Sequence, residues 1–368
     1  MSGGYYAQGG AQVFAGRYQL VQKIGEGGFG VVYKAVQLTT RQSVAIKVLQ
    51  LDKAQGADQS EVERFQREME VIGRLNHPNI VRLVDAGQTD QGELFTVLEF
   101  IDGEELKDYV ARRGGLPIGE ALHLMTEVLD ALGCAHNAGI VHRDLKPANI
   151  MITHAGVRPN AMVLDFGIAG IAEDARDASY KALTAAGKIH GTPAYMAPEQ
   201  IMKTGLAGQT DLYAWGLMFL ECVTGQQAAP ISGNLTEVIS WQISPDPIPL
   251  PPQLQNHPIG PVIAQALARD IQHRPDAQSL YNAIAQVQQS GLSGEGAPGP
   301  GAPRRPQPAN NPGATLHDQR TRSMSVPTPP RPDASNDPDG LPWKLIAIGA
   351  LLMVGLLTIL FIGALLFS

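Results

Sequence analysis

Between His142 and Gly167 the chain gathers two carboxylates, a lysine and an amide. The run His142-Arg143-Asp144-Leu145-Lys146-Pro147-Ala148-Asn149 is followed by an apolar stretch and then by Asp165-Phe166-Gly167. These residue types suit transfer of a phosphoryl group from a magnesium nucleotide to a hydroxyl. The transition state of such a transfer is loose, with charge spread over phosphate oxygens, so positioning and neutralisation supply most of the catalysis. Mg²⁺ takes oxygen ligands and keeps several waters, so one or two side chains hold it. Asp165 and Asn149 are suitable donors. Asp144 can accept the proton of an attacking hydroxyl, a contribution of about 10²- to 10⁴-fold, and Lys146 can steady the migrating phosphate. Gly167 permits a backbone bend behind Asp165.

Taken singly, each of these residues is an ordinary solvated loop group. Taken together, the eight-residue run and the Asp-Phe-Gly triplet resemble the catalytic loop and metal-binding triplet of protein kinases, and Lys146-Pro147 looks like the Ser/Thr branch rather than the Tyr branch. Upstream, Gly25-Glu26-Gly27-Gly28-Phe29-Gly30-Val31-Val32 reads Gly-x-Gly-x-x-Gly-x-Val. A dinucleotide-binding turn has the same spacing but opens a helix. Here β-formers lie on both sides, Tyr18 to Val21 and Val31 to Val36, so the glycines join two strands into a flap. Val44-Ala45-Ile46-Lys47 ends a strand in a lone lysine, which by itself reads as an edge-strand gatekeeper. The resemblance instead implies that Lys47 contacts the α- and β-phosphates and pairs with a helix glutamate. Ser60 to Leu75 has helical spacing of Phe65, Met69, Ile72 and Leu75. Glu68 matches the family position, and Glu61, Glu63 and Glu70 are its solvated competitors.

The same resemblance implies an ATP site in which Ile24, Gly25, Gly27 and Gly30 belong to the flap. Leu98 stands behind the adenine, backbone groups of Glu99 and Ile101 bond its edge, and Val32, Ala45 and Met151 close around the ring. Glu105 is directed to the ribose. The small, polar stretch from Ala172 to Lys188 corresponds to the activation segment, which ends in Gly191-Thr192-Pro193-Ala194-Tyr195-Met196-Ala197-Pro198-Glu199. Thr184 and then Ser179 are its phosphosite candidates, with Arg143 as the cation to pair with a phosphate. Thr192 is expected to bond Asp144 and Lys146, Asp211 to bond the catalytic-loop backbone, and Arg274 to pair with Glu199. Ala214 and Trp215 depart from the family, which carries Ser and an aliphatic or aromatic residue there.

The resemblance covers residues 18–288. It implies an α+β, two-lobed kinase fold with a small β-rich N-lobe and a larger helical C-lobe. ATP is the implied co-substrate, Mg²⁺ (or Mn²⁺) the metal, and protein Ser/Thr hydroxyls the acceptors. A pseudokinase scaffold is the alternative, but such proteins usually lose a lysine, base or metal ligand, and none is missing here.

Outside the motifs, composition limits the partners. Formal net charge is −7 and no basic run occurs, which argues against nucleic acid. Cys134 and Cys222 sit in apolar helical contexts and suggest neither zinc nor a disulfide framework. Residues 1–17 read as a flexible Gly- and Gln-rich tail. Residues 289–343 read as a Pro- and Gly-rich disordered linker, whose Pro303-Arg304-Arg305-Pro306 and Pro329-Pro330-Arg331-Pro332 can dock aromatic grooves of partner modules. Residues 344–367 are expected to form a single transmembrane helix, because Leu345 to Phe367 is uncharged and would span roughly 35 Å against a hydrocarbon core of about 30 Å. Arg320, Arg322, Arg331 and Lys344 precede that run, so the kinase region is expected on the cytoplasmic face, at a bacterial inner membrane.

Overall fold

Two-residue alternation sets the first layer of the fold. A computed structural model describes residues 12–27, 30–49, 59–166, 192–230 and 234–294. Strands β1 (Val13–Phe14), β2 (Tyr18–Gly27), β3 (Gly30–Gln37), β4 (Ser43–Leu49), β5 (Leu83–Gln88) and β6 (Leu94–Glu99) form an antiparallel sheet in the order β1-β2-β3-β4-β6-β5. One face buries Tyr18, Tyr33, Ile46, Val48, Phe95 and Val97 in a core of its own. The other face is set by register. Val32 pairs with Lys47 and Lys47 with Thr96, while Ala45 pairs with Leu98. Directly opposed residues share a face, so these five side chains line one surface.

The sheet curls until its two ends meet. Tyr18, on β2, donates its hydroxyl to Asp85 Oδ2 on β5 at 2.7 Å, and Arg17 reaches the same oxygen at 2.7 Å. Phe14 packs edge-on against Phe95 with ring centroids 5.0 Å apart. The flexible tail expected over residues 1–17 therefore gives way by Val13, because burying Phe14 and pairing it with Tyr18 hold β1 in the sheet. Helix α1 (Gln59–Ile72) turns Phe65, Met69 and Ile72 inward. It stops three residues short of the Leu75 expected from spacing, although Leu75 is buried as well.

Beyond β6 the chain is mainly helical. In order come α2 (Leu106–Arg113), α3 (Ile118–Asn137), α4 (Pro198–Met202), α5 (Gly208–Thr224), α6 (Leu235–Ile243), α7 (Pro252–Gln255), α8 (Gly260–Ala266) and α9 (Ala277–Gly294). A second antiparallel sheet of β7 (Glu104–Glu105), β8 (Ile150–Thr153) and β9 (Asn160–Val163) lies between α3 and α4 in sequence, apart from β7, which precedes α2. Helix α5 is buried on nearly all sides, and α3 packs against it. Trp215 belongs to that contact. Its indole N–H donates to the Met125 carbonyl at 2.7 Å and its ring stacks on Phe219. A buried indole needs such an acceptor, so the departure at this position is a packing solution. Cys222 is buried, Cys134 is half-buried, and both are free thiols.

This is the α+β, two-lobed arrangement expected, a curled β-sheet lobe and a larger helical lobe. Helix α9 runs through Gly294, past the expected start of the linker. The rest of the linker and the apolar run 344–367 lie outside the described residues. No helix among the described residues is long and apolar enough to cross a membrane.

Candidate active site

The loop before β8 contains a strained turn, and its restraints explain its shape. Arg143 and Asp165 have φ of 66° and 57°, the left-handed region that non-glycine residues avoid and that persists only where surroundings enforce it. Asp211, buried at the start of α5, accepts from the backbone N–H of His142 at 2.8 Å and of Arg143 at 2.9 Å. The same carboxylate takes His136 Nε2 at 2.8 Å. The buried His142 ring bonds the Leu164 carbonyl through Nε2 at 2.8 Å and accepts from Asp144 N–H at Nδ1. A carbonyl can only accept, so the ring proton sits on Nε2. His142 also lies against Phe166, centroids 4.9 Å apart. The loop and the Asp-Phe-Gly triplet are thus held to one another. The left-handed turn falls on Asp165 itself, and Gly167 lies outside the described residues.

Five expected site residues gather here as a trio and a pair. Lys146 Nζ is 2.9 Å from Asp144 Oδ2. Asn149 Nδ2 donates to the Asp144 carbonyl at 2.7 Å and, more weakly, to Asp144 Oδ2 at 3.3 Å. With its nitrogen committed, Asn149 presents Oδ1 as an acceptor. Across the cleft, Lys47 Nζ pairs with Asp165 Oδ2 at 2.7 Å. Lys47 is buried, so the ion pair is screened little by solvent.

Glu68 is placed differently from expectation. Lys47 bonds Asp165 and not Glu68, which lies instead along a groove with Arg64, Arg67 and Arg143, beside Gly139 and Val141. The inward stripe of α1, Phe65, Met69 and Ile72, is apolar. Lys47 is left to Asp165.

The flap and the ring site follow from the sheet. Gly25 pairs with Val32 and Gly27 with Gly30. A Cβ on Gly30, whose φ is +138°, would stand 2.0 Å from the Val48 carbonyl oxygen, whereas one on Gly27 would meet nothing. Gly30 is therefore required by strand packing, whereas the space beside Gly27 is open among the described residues. Val32, Ala45, Leu98, Ile101 and Met151 are half-buried and Ile24 is exposed, as a lined but open cleft demands. Glu99 spends its N–H on the Arg82 carbonyl at 3.0 Å. Glu105, paired with Met151, is half-buried, and burial raises its carboxyl above the usual range.

The segment after the triplet rejoins the described residues at Thr192, which opens a 3₁₀ turn through Tyr195. The Thr192 side chain, and Thr184 and Ser179, lie outside the described residues. Glu199 and Arg274 form a buried two-bond pair, at 2.7 and 2.9 Å. Gln200, which the sequence did not single out, donates to the Arg143 carbonyl at 2.8 Å and accepts from Ala197 N–H at 3.0 Å, fastening this segment to the catalytic loop. Its only signal was a position directly after Ala-Pro-Glu.

A family model described as the protein kinase domain matches residues 18–283. The chain belongs to the protein kinase family. The chain is 36% identical to the serine/threonine-protein kinase pkn3 of Myxococcus xanthus over 284 residues, 75% of this chain and 50% of that one. It is 35% identical to the serine/threonine-protein kinase PkaA of Streptomyces coelicolor over 338 residues, 88% of this chain and 58% of that one. The chain thus spans about half the length of these relatives. Among solved structures, the crystal structure of the Mycobacterium tuberculosis PknI kinase domain matches with a TM-score of 0.55 and 28% identity, covering 76% of this chain and 100% of that one.

The donor set of this kinase domain fits a magnesium ion shared with phosphates. Asn149 Oδ1 and the Asp165 carboxylate are hard oxygen donors. No cluster of three or more His, Cys, Asp or Glu that could enclose a metal exists among the described residues. A site of two protein ligands completed by phosphate and water is how Mg²⁺ is usually held.

Proposed function

We propose that this protein is a Ser/Thr protein kinase that transfers the γ-phosphate of ATP to protein hydroxyls, with Mg²⁺ (or Mn²⁺) as its metal. The observation that carries the reading is the meeting of Lys47–Asp165 with Asp144–Lys146–Asn149, from two lobes and from positions up to 118 residues apart. Asp144 takes the proton of the acceptor hydroxyl as that oxygen bonds the γ-phosphorus and the bridging bond from γ-phosphorus to the β-phosphate oxygen breaks, with ADP as the leaving group. The Lys146 ammonium, already on the Asp144 carboxylate, neutralises charge on the transferring group. Lys47 binds the α- and β-phosphates once it leaves Asp165, and the Gly25–Gly30 flap covers them with backbone N–H groups. Asn149 Oδ1 and Asp165 would hold the metal, which neutralises charge on the phosphate oxygens.

The test is incorporation of labelled phosphate from MgATP into a generic protein acceptor by the full chain and by Asp144→Asn. The variant should lose about 10²- to 10⁴-fold in kcat with unchanged Tm. Phosphoserine and phosphothreonine, without phosphotyrosine, are expected in the product. Equal activity in the two proteins would end the proposal.

The location is part of the same reading. The uncharged run Leu345 to Phe367 anchors the chain in a bilayer, with the kinase domain cytoplasmic and the Pro-rich linker open to partner modules. What supports this is composition and the basic residues that precede the run. Full-length protein should stay in the membrane fraction through alkaline extraction, and a chain ending at Pro342 should not.

A further inference from the structure

A buried amide governs the segment that borders the catalytic base. Beside Asp144, a narrow gap lined by Leu145, Tyr195, Met196 and Gln200 and closed by the buried Thr210, Asp211 and Ala214 shows that the segment 192–200 packs directly against the loop carrying the proposed base. Behind that segment stands Gln242, on α6 and wholly inaccessible. Its Nε2 donates to the carbonyls of Ala194 at 2.7 Å and Pro193 at 3.3 Å. Its Oε1 accepts from the Tyr213 hydroxyl at 2.6 Å. Tyr213 in turn accepts from Arg269 Nη1 at 2.5 Å. Arg269 also bonds the Gln242 carbonyl at 2.9 Å, and its guanidinium lies 4.8 Å from the Trp241 ring centre.

The direction of this chain is fixed. Arg269 can only donate, so Tyr213 must donate onward, and Gln242 must turn its nitrogen toward that segment. A flipped amide would set oxygen against two carbonyl oxygens. Hydrogen bonds in series polarise one another, and the cation at the far end strengthens those on Pro193 and Ala194. Tyr213 also joins the second anchor of the same segment, because Arg274, which holds Glu199, lies over its ring at 4.8 Å. The Tyr213 hydroxyl is kept protonated, its pKa pushed up to about 12 chiefly by burial.

We propose that Gln242, oriented by Tyr213 and Arg269, is a positioning residue for the protein substrate, fixing the Pro193 and Ala194 carbonyls and with them the wall against which the acceptor chain lies. This rests on the kinase reading above. It predicts an effect on acceptor binding that nucleotide binding does not share, since no atom of the relay touches the Lys47–Asp165 side of the cleft among the described residues.

Steady-state kinetics of the full chain with MgATP and a generic protein acceptor test it, with Gln242→Met to keep shape and remove the donor. The KM for the acceptor should rise about tenfold or more, since Met removes both Nε2 bonds to the wall and the Oε1 acceptor of Tyr213, while the KM for ATP stays within twofold. Gln242→Glu, which sets oxygens against the two carbonyls, should raise it further. Tyr213→Phe, which keeps the ring beneath Arg274, should give a smaller rise of the same kind and serves if the Gln242 variants do not fold. An unchanged acceptor KM in folded variants overturns the proposal. So does a loss spread equally over both KM values and kcat in step with Tm. A wild-type chain that transfers no phosphate would instead overturn the kinase reading.

Discussion

Asp211 concentrates more of the site's geometry than any group that faces the cleft. Two oxygens accept from three donors, and two of those donors belong to the strained turn at Arg143. Asp211→Asn turns one acceptor into a donor against donors. It should cost about 2–3 kcal/mol of stability, measured by denaturant titration, for the buried groups left unmatched. It should also lower kcat by about 10²-fold, the scale expected from small displacements of a catalytic group. Glu221 offers a contrasting case with a pH signature. Burial raises its carboxyl above the usual range, and the Tyr195 hydroxyl that bonds it only partly offsets this. A raised acid contributes stability that is complete below its unfolded pKa and is lost as pH rises through the folded one. Glu221→Gln, which still accepts from Tyr195, should therefore match wild type in Tm at acid pH below the ordinary carboxylate range. It should gain an advantage as pH rises past that range and hold it at neutral pH. A Tm difference independent of pH would contradict the assignment.

At the level of elements, the flap separates two uses of glycine. Gly30→Ala drives a Cβ into the Val48 carbonyl at a left-handed φ, so it should destabilise the sheet by about 2–4 kcal/mol whether or not nucleotide is present. Gly27→Ala meets nothing and should leave Tm unchanged while raising the KM for ATP. The pair of measurements distinguishes packing from phosphate contact within one turn. It also marks what sequence can and cannot carry. The run 142–149 and the Gly25–Gly30 spacing are legible because chemistry confines particular residue types to a few positions. The strands around Lys47 are legible because alternation encodes their faces. The closure of the sheet by Tyr18 on Asp85 is not, since those residues are 67 apart and each is ordinary in its own strand. Gln242 is hidden for the same reason: an amide in a short helix gives no hint that two carbonyls await it. Val13 and Phe14 were masked by the Gly-rich residues before them.

At the scale of the molecule, Lys47 crosses the cleft between the lobes, which backbone bonds of Asn79 and Val81 to Val163 also tie together, and the choice of its partner bears on what the cleft can do. In this arrangement the lysine is held by Asp165, the carboxylate expected to hold the metal, while Glu68 lies toward Arg143. Phosphotransfer in this family needs the lysine on the helix glutamate and the aspartate on the metal together. On the proposed kinase reading, catalysis would therefore require α1 to carry Glu68 to Lys47 and so release Asp165. The consequence is an asymmetry between structure and rate. Glu68→Gln should leave the Lys47–Asp165 pair intact, because Glu68 is not the partner of Lys47 there, yet lower kcat by about 10²-fold. Asp165→Asn should loosen this contact between lobes, seen as faster hydrogen exchange in β4, and abolish metal-dependent transfer. If Glu68→Gln retained full kcat, Lys47 would be working from its present position, and the exchange of partners would have no part in the reaction.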